Sequence, residues 1–287
     1  MKKWVYLYLL ALLALACQQQ KPVANALKDA EVRTTTADSI KTGTVSTVSS
    51  VAADSLMPAT RTLLQQYDLA PLWKGYAQQG RATQPMEGFY GPPHYRISFY
   101  FSKVERDPAQ PNVFHVMGLD RYKKVITPFS GTITVHSLRP FSKEMFIDAE
   151  PADSVAPAYT AVARFVLKED PSTKGAGNYS GQALLDFYID GQQHLKLAVS
   201  HPMASEHNPT GGAGLIFKGY HISNQTGQRK SVAFSADYSV VVPQTLAKLG
   251  IGDRSEGVNP NLAKLGWNEA WENDEWWAKS PKPSLNL

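Results

Sequence analysis

The most regular pattern along the chain is an alternation of apolar and polar residues, clearest from His94 to Ser102. Tyr95, Ile97, Phe99 and Phe101 fall on one face, and Arg96, Ser98, Tyr100 and Ser102 on the other. A period of two with aromatic enrichment predicts a half-buried strand. The same period recurs in Val125-Thr127-Phe129 with Ile133-Val135, in Leu185-Phe187-Ile189 and in Leu195-Leu197-Val199. It is less regular in Leu215-Phe217 and Val232-Phe234. Pro128 interrupts its run and predicts a bulge or an edge position, because proline cannot donate to a ladder. Asp190-Gly191, between two alternating runs, predicts a tight hairpin, and Asn224-Gln225-Thr226-Gly227 predicts a longer one. These signals give about eight or nine strands in an antiparallel meander. The expected fold is mainly β, closed or nearly closed into a barrel, with a sandwich as the alternative. Closure removes both sheet edges and favours the barrel.

Helical signals are short and sit at the ends of this β region. Residues 60–67 (TRTLLQQY) predict one helix ahead of the sheet, and Trp73 with Tyr76 is placed to close one barrel end. Leu246-Ala247-Lys248-Leu249-Gly250 recurs as Leu262-Ala263-Lys264-Leu265-Gly266. For the second copy, Asn259-Pro260 supplies an N-cap with proline at the first helical position, and Gly266 suits the left-handed C-terminal position. A weak internal duplication is also expected, from Gly88-Phe89-Tyr90-Gly91 before one strand and Gly177-Asn178-Tyr179-Ser180-Gly181 before another.

The first residues change the picture from a barrel to a barrel on a tether. Lys2 and Lys3 precede an apolar run from Trp4 to Ala16, which is too short to span a bilayer and has the anatomy of a secretory signal. It ends at Cys17, the only cysteine in the chain. Ala14-Leu15-Ala16-Cys17 resembles a bacterial lipoprotein signal, which implies acylation of Cys17 and residues 1–16 as a removed signal peptide. Several acyl chains, at about 0.8 kcal/mol per buried methylene, would anchor such a chain effectively permanently. From Gln18 to Asp54 there is no aromatic residue, and the charges balance. Such a segment cannot bury enough apolar surface to offset its chain entropy, so residues 17–58 are expected to be the acylated cysteine and a disordered spacer. Residues 59–287 then form a single β-rich domain with a helical, Trp-rich C-terminal cap.

Charge excludes some partners. The formal net charge of +4 falls to +2 on loss of Lys2 and Lys3, so no nucleic acid partner is implied. The seven histidines form no helical zinc-peptidase pair. His201, His207 and Glu206 are ordinary ligand types at an unspecific spacing, and no metal site is assigned. Ser200, His201 and Asp186 or Asp190 contain the residue types of a triad without its geometry, and no Gly-x-Ser-x-Gly elbow is present. Asp186 and Asp190 are four residues apart, about 13 Å by strand rise, too far for the usual glycosidase pair. No catalytic residue and no cofactor are assigned.

Aromatic residues are the better candidates. Trp267, Trp271, Trp276 and Trp277 crowd the C-terminal segment among amide and carboxylate side chains. Tryptophan faces among polar groups build many sugar sites and protein-contact anchors. They are equally the means of packing a last helix onto a barrel. With Tyr95 and Phe99 they form the candidate ligand contacts.

The lysine-led lipoprotein start, the Ser/Thr-rich spacer and the run Glu87-Gly88-Phe89-Tyr90-Gly91…His94-Tyr95-Arg96-Ile97 resemble uncharacterised cell-envelope lipoproteins of Bacteroidota. The resemblance implies an outer-membrane anchor in a Gram-negative envelope and carries no catalytic residue with it. An aromatic-x-Gly turn before a long strand is similar to lipocalin-like and avidin-like barrels, at the level of fold only. The expected function is therefore a membrane-tethered, non-catalytic envelope lipoprotein binding a small apolar ligand or a glycan. A structural or protein-interaction component of the envelope, or a hydrolase on a similar barrel, are the alternatives.

Overall fold

The computed structural model describes residues 56–75, 84–140, 157–200, 208–245, 260–268 and 275–278. Cys17, the spacer to residue 55, Tyr76, Trp271, His201, Glu206, His207 and the first Leu-Ala-Lys-Leu-Gly copy at 246–250 lie outside the described residues.

Nine antiparallel strands account for the alternating region. They are β1 (Met86–Tyr90), β2 (Tyr95–Arg106), β3 (Val113–Tyr122), β4 (Val125–Pro140), β5 (Ala158–Glu169), β6 (Gly177–Ile189), β7 (Leu195–Leu197), β8 (Leu215–Ser223) and β9 (Arg229–Ser235). Eight of them form a closed ring in the order β1-β2-β3-β4-β5-β6-β8-β9, with β9 returning to β1 through Glu87↔Ser235 to Tyr90↔Val232. The short β7 continues the ladder on β6 beyond the end of β8, at Phe187↔Leu197. The barrel is thus closed, and the sandwich alternative is excluded.

Pro128 sits where β4 runs past the end of β5. The β4–β5 ladder begins only at Phe129↔Glu169, and the Asp170 N–H donates to Pro128 O at 2.8 Å. The missing N–H of proline therefore faces a side with no strand to receive it. The register breaks fall elsewhere, between Phe101 and Lys103 in β2 and between Val135 and Ser137 in β4. The hairpins at Asp190 and at Asn224–Gly227 are both formed, the first capped by Asp190 Oδ1 accepting from the Gln192 and His194 N–H groups. The two motifs read as a duplication are built differently. Gly88 lies in β1, which turns before β2, whereas Gly177 opens β6 and runs unbroken to Ile189.

Alternation sets the interior. Ile97, Phe99 and Phe101 of β2, Phe129 and Ile133 of β4, Phe165 of β5, Phe217 of β8 and Phe234 of β9 are buried. Their rings form a column along the barrel. Tyr179 meets Phe99 edge-on at 5.1 Å, Phe99 stacks on Phe234 at 3.9 Å, and Phe234 stacks on Phe217 at 4.6 Å. Phe217 reaches Trp73 at 6.1 Å. So large a filling needs small neighbours. A methyl on Gly181 would stand 2.5 Å from the Cα of Gly219, its register partner, so only glycine permits that approach.

Trp73 closes one barrel end. It ends α2 (Ala70–Trp73), which follows α1 (Pro58–Gln66), and it is fully buried with Leu64, Leu69 and Leu72. Asp68 Oδ1 accepts the Ala70 N–H at 3.0 Å, starting α2. Arg106 Nη1 donates to Leu64 O at 2.8 Å, and the Tyr67 hydroxyl donates to Gln193 Oε1 at 2.6 Å. The helices are therefore tied to the same end as the β2–β3 turn and the hairpin after β6. Among the described residues, no helix is long and apolar enough to cross a membrane.

Residues 260–268 and 275–278 pack on the outside of the barrel. α3 (Pro260–Lys264) ends at Gly266, whose φ of +79° is the left-handed geometry expected there. The Arg96 N–H donates to Leu265 O at 2.9 Å, joining this segment to β2.

Candidate functional site

Among the described residues, nothing fills the end of the barrel opposite Trp73. Above the Phe column the inward register positions become polar: Tyr90 on β1, Asp120 and Tyr122 on β3, Thr127 on β4, Glu169 on β5, Tyr179 on β6 and His221 on β8. They line an open cup of about 500 Å³ with Lys123, Lys174 and Lys230 on its rim. A groove of about 840 Å³ on the outer wall, lined by Asn112, His136, Arg164, Gln182, Tyr220 and Arg229, is larger. None of those six is buried, so the groove lacks the cup's set of desolvated ionisable groups.

Glu169 is the centre of the cup floor. Its Oε2 accepts the Gly177 N–H at 2.6 Å and faces His221 Nε2 at 2.8 Å, and its Oε1 accepts the Tyr179 hydroxyl at 3.3 Å. Glycine is required at 177, because a methyl there would lie 2.4 Å from His221 Nε2 and 2.3 Å from Ile222 O. His221 Nδ1 meets the Tyr90 hydroxyl at 2.8 Å. In the tautomer that donates Nε2–H to Glu169, Nδ1 is placed to accept the Tyr90 O–H. The result is a continuous chain from Tyr90 through His221 to Glu169, in which each of the three is more than nine-tenths buried.

Asp120 completes the floor. It is 1 % exposed, and its Oδ2 meets no N–H or O–H donor among the described residues. Burial first, then the charge of Glu169, then a hydrogen bond to Glu169, hold its carboxyl well above the usual carboxylate range. The Asp120 carboxyl therefore favours its protonated form far more than a free aspartate does. Burial, reinforced by the neighbouring acids, also raises the phenols of Tyr90 and Tyr179, so both remain O–H groups. The floor thus offers both hydrogen-bond donors and acceptors.

The rim is cationic. Lys123 Nζ lies 5.1 Å from the Tyr95 ring centroid and 5.4 Å from that of Tyr122, and Lys230 Nζ lies 5.5 Å from that of Tyr90. Lys123 and Lys124 form the β3–β4 turn with φ of +51° and +65°. That left-handed conformation costs a non-glycine residue about 1–2 kcal/mol.

The aromatic residues singled out from sequence go to several places. Tyr95 is half-buried near the mouth, edge-on to Tyr122 at 5.3 Å, and Phe99 is in the column beneath the cup. Trp267 is 1 % exposed on the outer wall, against Phe89 at 4.8 Å and Tyr238 at 5.2 Å, and its Nε1 donates to His94 O. Trp276 lies 6.0 Å from the Arg121 guanidinium, and Trp277 lies 6.0 Å from Tyr100. None of the three lines the cup. Asp186 is buried and accepts from the hydroxyls of Thr160 and Thr210, each at 2.6 Å, and from the Thr210 N–H, which staples residues 208–214 to β6. Ser200 Oγ instead accepts from Asn208 Nδ2 at 3.1 Å. Among the described residues, no group of three or more His, Cys, Asp or Glu side chains is placed to hold a metal ion.

No family model, curated protein or solved structure matches the chain. The reading of the cup rests on its own chemistry.

Asp120 and Glu169 were not singled out in the sequence, and His221 stood only among seven histidines. The signal that finds them is register. In β3 the inward positions read Phe114, Val116, Gly118, Asp120, so an acid sits where the pattern calls for an apolar residue. Glu169 and His221 break the inward faces of β5 and β8 in the same way.

Proposed function

We propose that this protein is a small-molecule-binding barrel, with the ligand seated in the cup, carried on the cell envelope by an acyl anchor on Cys17. The observation that carries the binding reading is the change in filling along one barrel. The lower part is packed with Phe side chains, while the upper part leaves about 500 Å³ open over a floor of buried polar groups. A volume in the range of a small ligand, with a few convergent polar groups, is the usual anatomy of a binding site. Side chains that served only stability would fill such a space with apolar groups, since replacing a buried ionic network by well-packed apolar residues is often neutral or stabilising. The polar floor refines the ligand expected from sequence: its buried end carries hydrogen-bonding groups, as a hydroxylated ring or a polar-ended apolar molecule does. The tether rests on the signal-like start of the chain and on Cys17 as its only cysteine.

Two dyes test the binding reading: anilinonaphthalenesulfonate, which is anionic, and the uncharged N-phenylnaphthylamine. Both brighten on leaving water. Brightening by either that is abolished by Gln228→Trp, an exposed position at the mouth, supports the cup as a binding site. Brightening by neither, or brightening unchanged by Gln228→Trp, overturns it. Cys17→Ser should move the protein from the membrane pellet to the soluble fraction; retention in the pellet would exclude the anchor.

A further inference from the structure

Resting on the ligand-binding reading, we propose that the cup selects a small organic anion. The anionic group sits among Lys123, Lys174 and Lys230 at the rim, and an uncharged body descends toward Tyr90 and His221. The three cations come from distant parts of the chain, the β3–β4 turn, the β5–β6 turn and β9, and barrel closure brings them to one mouth. None of them forms an ion pair among the described residues. Lys123 and Lys230 instead stand over the rings of Tyr95, Tyr122 and Tyr90. Those rings position an ammonium group without neutralising it.

The sign of the ligand follows from where the opposite charges lie. Among the described residues, the carboxylates lining the cup are both on the floor, as Asp120 and Glu169. Asp120 is buried beside Glu169, and Glu169 already faces His221 and the Gly177 N–H. A cationic ligand would have to pass three uncompensated lysines to reach one partnered charge. A ligand that carried its anion downward would place it, desolvated, beside Glu169, which like-charge repulsion opposes. An anion at the rim with a neutral body below meets neither penalty. The backbone supports the assignment independently. A two-residue hairpin turn with both φ angles positive favours Asn-Gly, yet here it carries Lys123 and Lys124. Strain held at the edge of a cavity is the kind of feature that accompanies function.

The same dye pair separates this proposal from the reading beneath it, because the dyes differ by the sulfonate alone. With the full-length protein, anilinonaphthalenesulfonate should bind more tightly than N-phenylnaphthylamine and should weaken as salt is raised. The variant with Lys123→Gln, Lys174→Gln and Lys230→Gln together should lose about tenfold or more in affinity for the anion, with little change for the neutral dye. Lys174→Glu alone, at an exposed turn position, should weaken the anion further than Lys174→Gln and guards against a triple variant that fails to fold. Equal affinities that ignore salt and both sets of lysine changes, while Gln228→Trp still blocks binding, would overturn the anion and leave the binding cup standing. Tighter binding of the neutral dye would overturn it too. Loss of the Gln228→Trp effect would remove the cup itself.

Discussion

Asp120→Asn should make the stability of the protein less dependent on pH. In the native barrel, burial, the charge of Glu169 and the hydrogen bond to it hold the Asp120 carboxyl well above the ordinary carboxylate range. In the unfolded chain the same carboxyl titrates near 3.9, at about the free aspartate value. Below the unfolded value both states are protonated, and the group contributes nothing to the pH dependence. Above it the unfolded chain has released a proton that the native barrel still holds. Unfolding then becomes easier as pH rises, by about 1.4 kcal/mol for each pH unit over which the difference is one full proton. The loss is complete once pH has passed through the raised native value. Asparagine has nearly the same shape, cannot ionise, and can offer Glu169 an N–H in place of the O–H. The assay is urea unfolding of wild type and variant from about pH 5 to about pH 8, read as the difference between their unfolding free energies. That difference removes the contribution of Asp186, whose carboxyl burial also raises, because it is present in both proteins. The variant should gain on the wild type steadily as pH rises. Two parallel profiles would refute the reasoning, since they would mean that Asp120 ionises alike in the folded and unfolded chains.

Two further outcomes follow from the packing. Gly177→Ala places a methyl 2.3 Å from Ile222 O, which the β6–β8 ladder fixes, so His221 must yield; a loss of about 1–3 kcal/mol and a changed His221 imidazole resonance by NMR are expected. Phe234→Ala removes the ring stacked between Phe99 and Phe217 and should cost about 3–5 kcal/mol in urea unfolding, with a cost under 1 kcal/mol arguing against a tightly packed column.

The walls of this molecule were legible because alternation is a local signal. Tyr95, Ile97, Phe99 and Phe101 lie in consecutive turns of the pleat, and nothing distant is needed to assign their face. Gly177 to Gly181 was harder to read. The glycines look like turn residues, but they stand inside β6 because the facing Gly219 and His221 leave no room for side chains. The cup was almost invisible. Tyr90, Asp120, Glu169 and His221 are on four strands, with His221 standing 52 residues from Glu169 and 131 from Tyr90. Only the order in which the strands close brings them together, and strand order is not written in any window of sequence. The tryptophans drew attention for the opposite reason. They cluster along the chain, yet Trp267 and Trp276 spend their surface on the outer wall, where Phe89 and Arg121 happen to present partners.

Among the described residues, the column of rings from Tyr179 to Trp73 leaves the cup a single opening. A solute that enters between the lysines cannot pass through, because Phe99, Phe234 and Phe217 stand in series below it. Arrival and departure share one path, bordered by the turns that carry Lys123, Lys174 and Thr226. On the proposed binding role, such a barrel would hold and release rather than conduct.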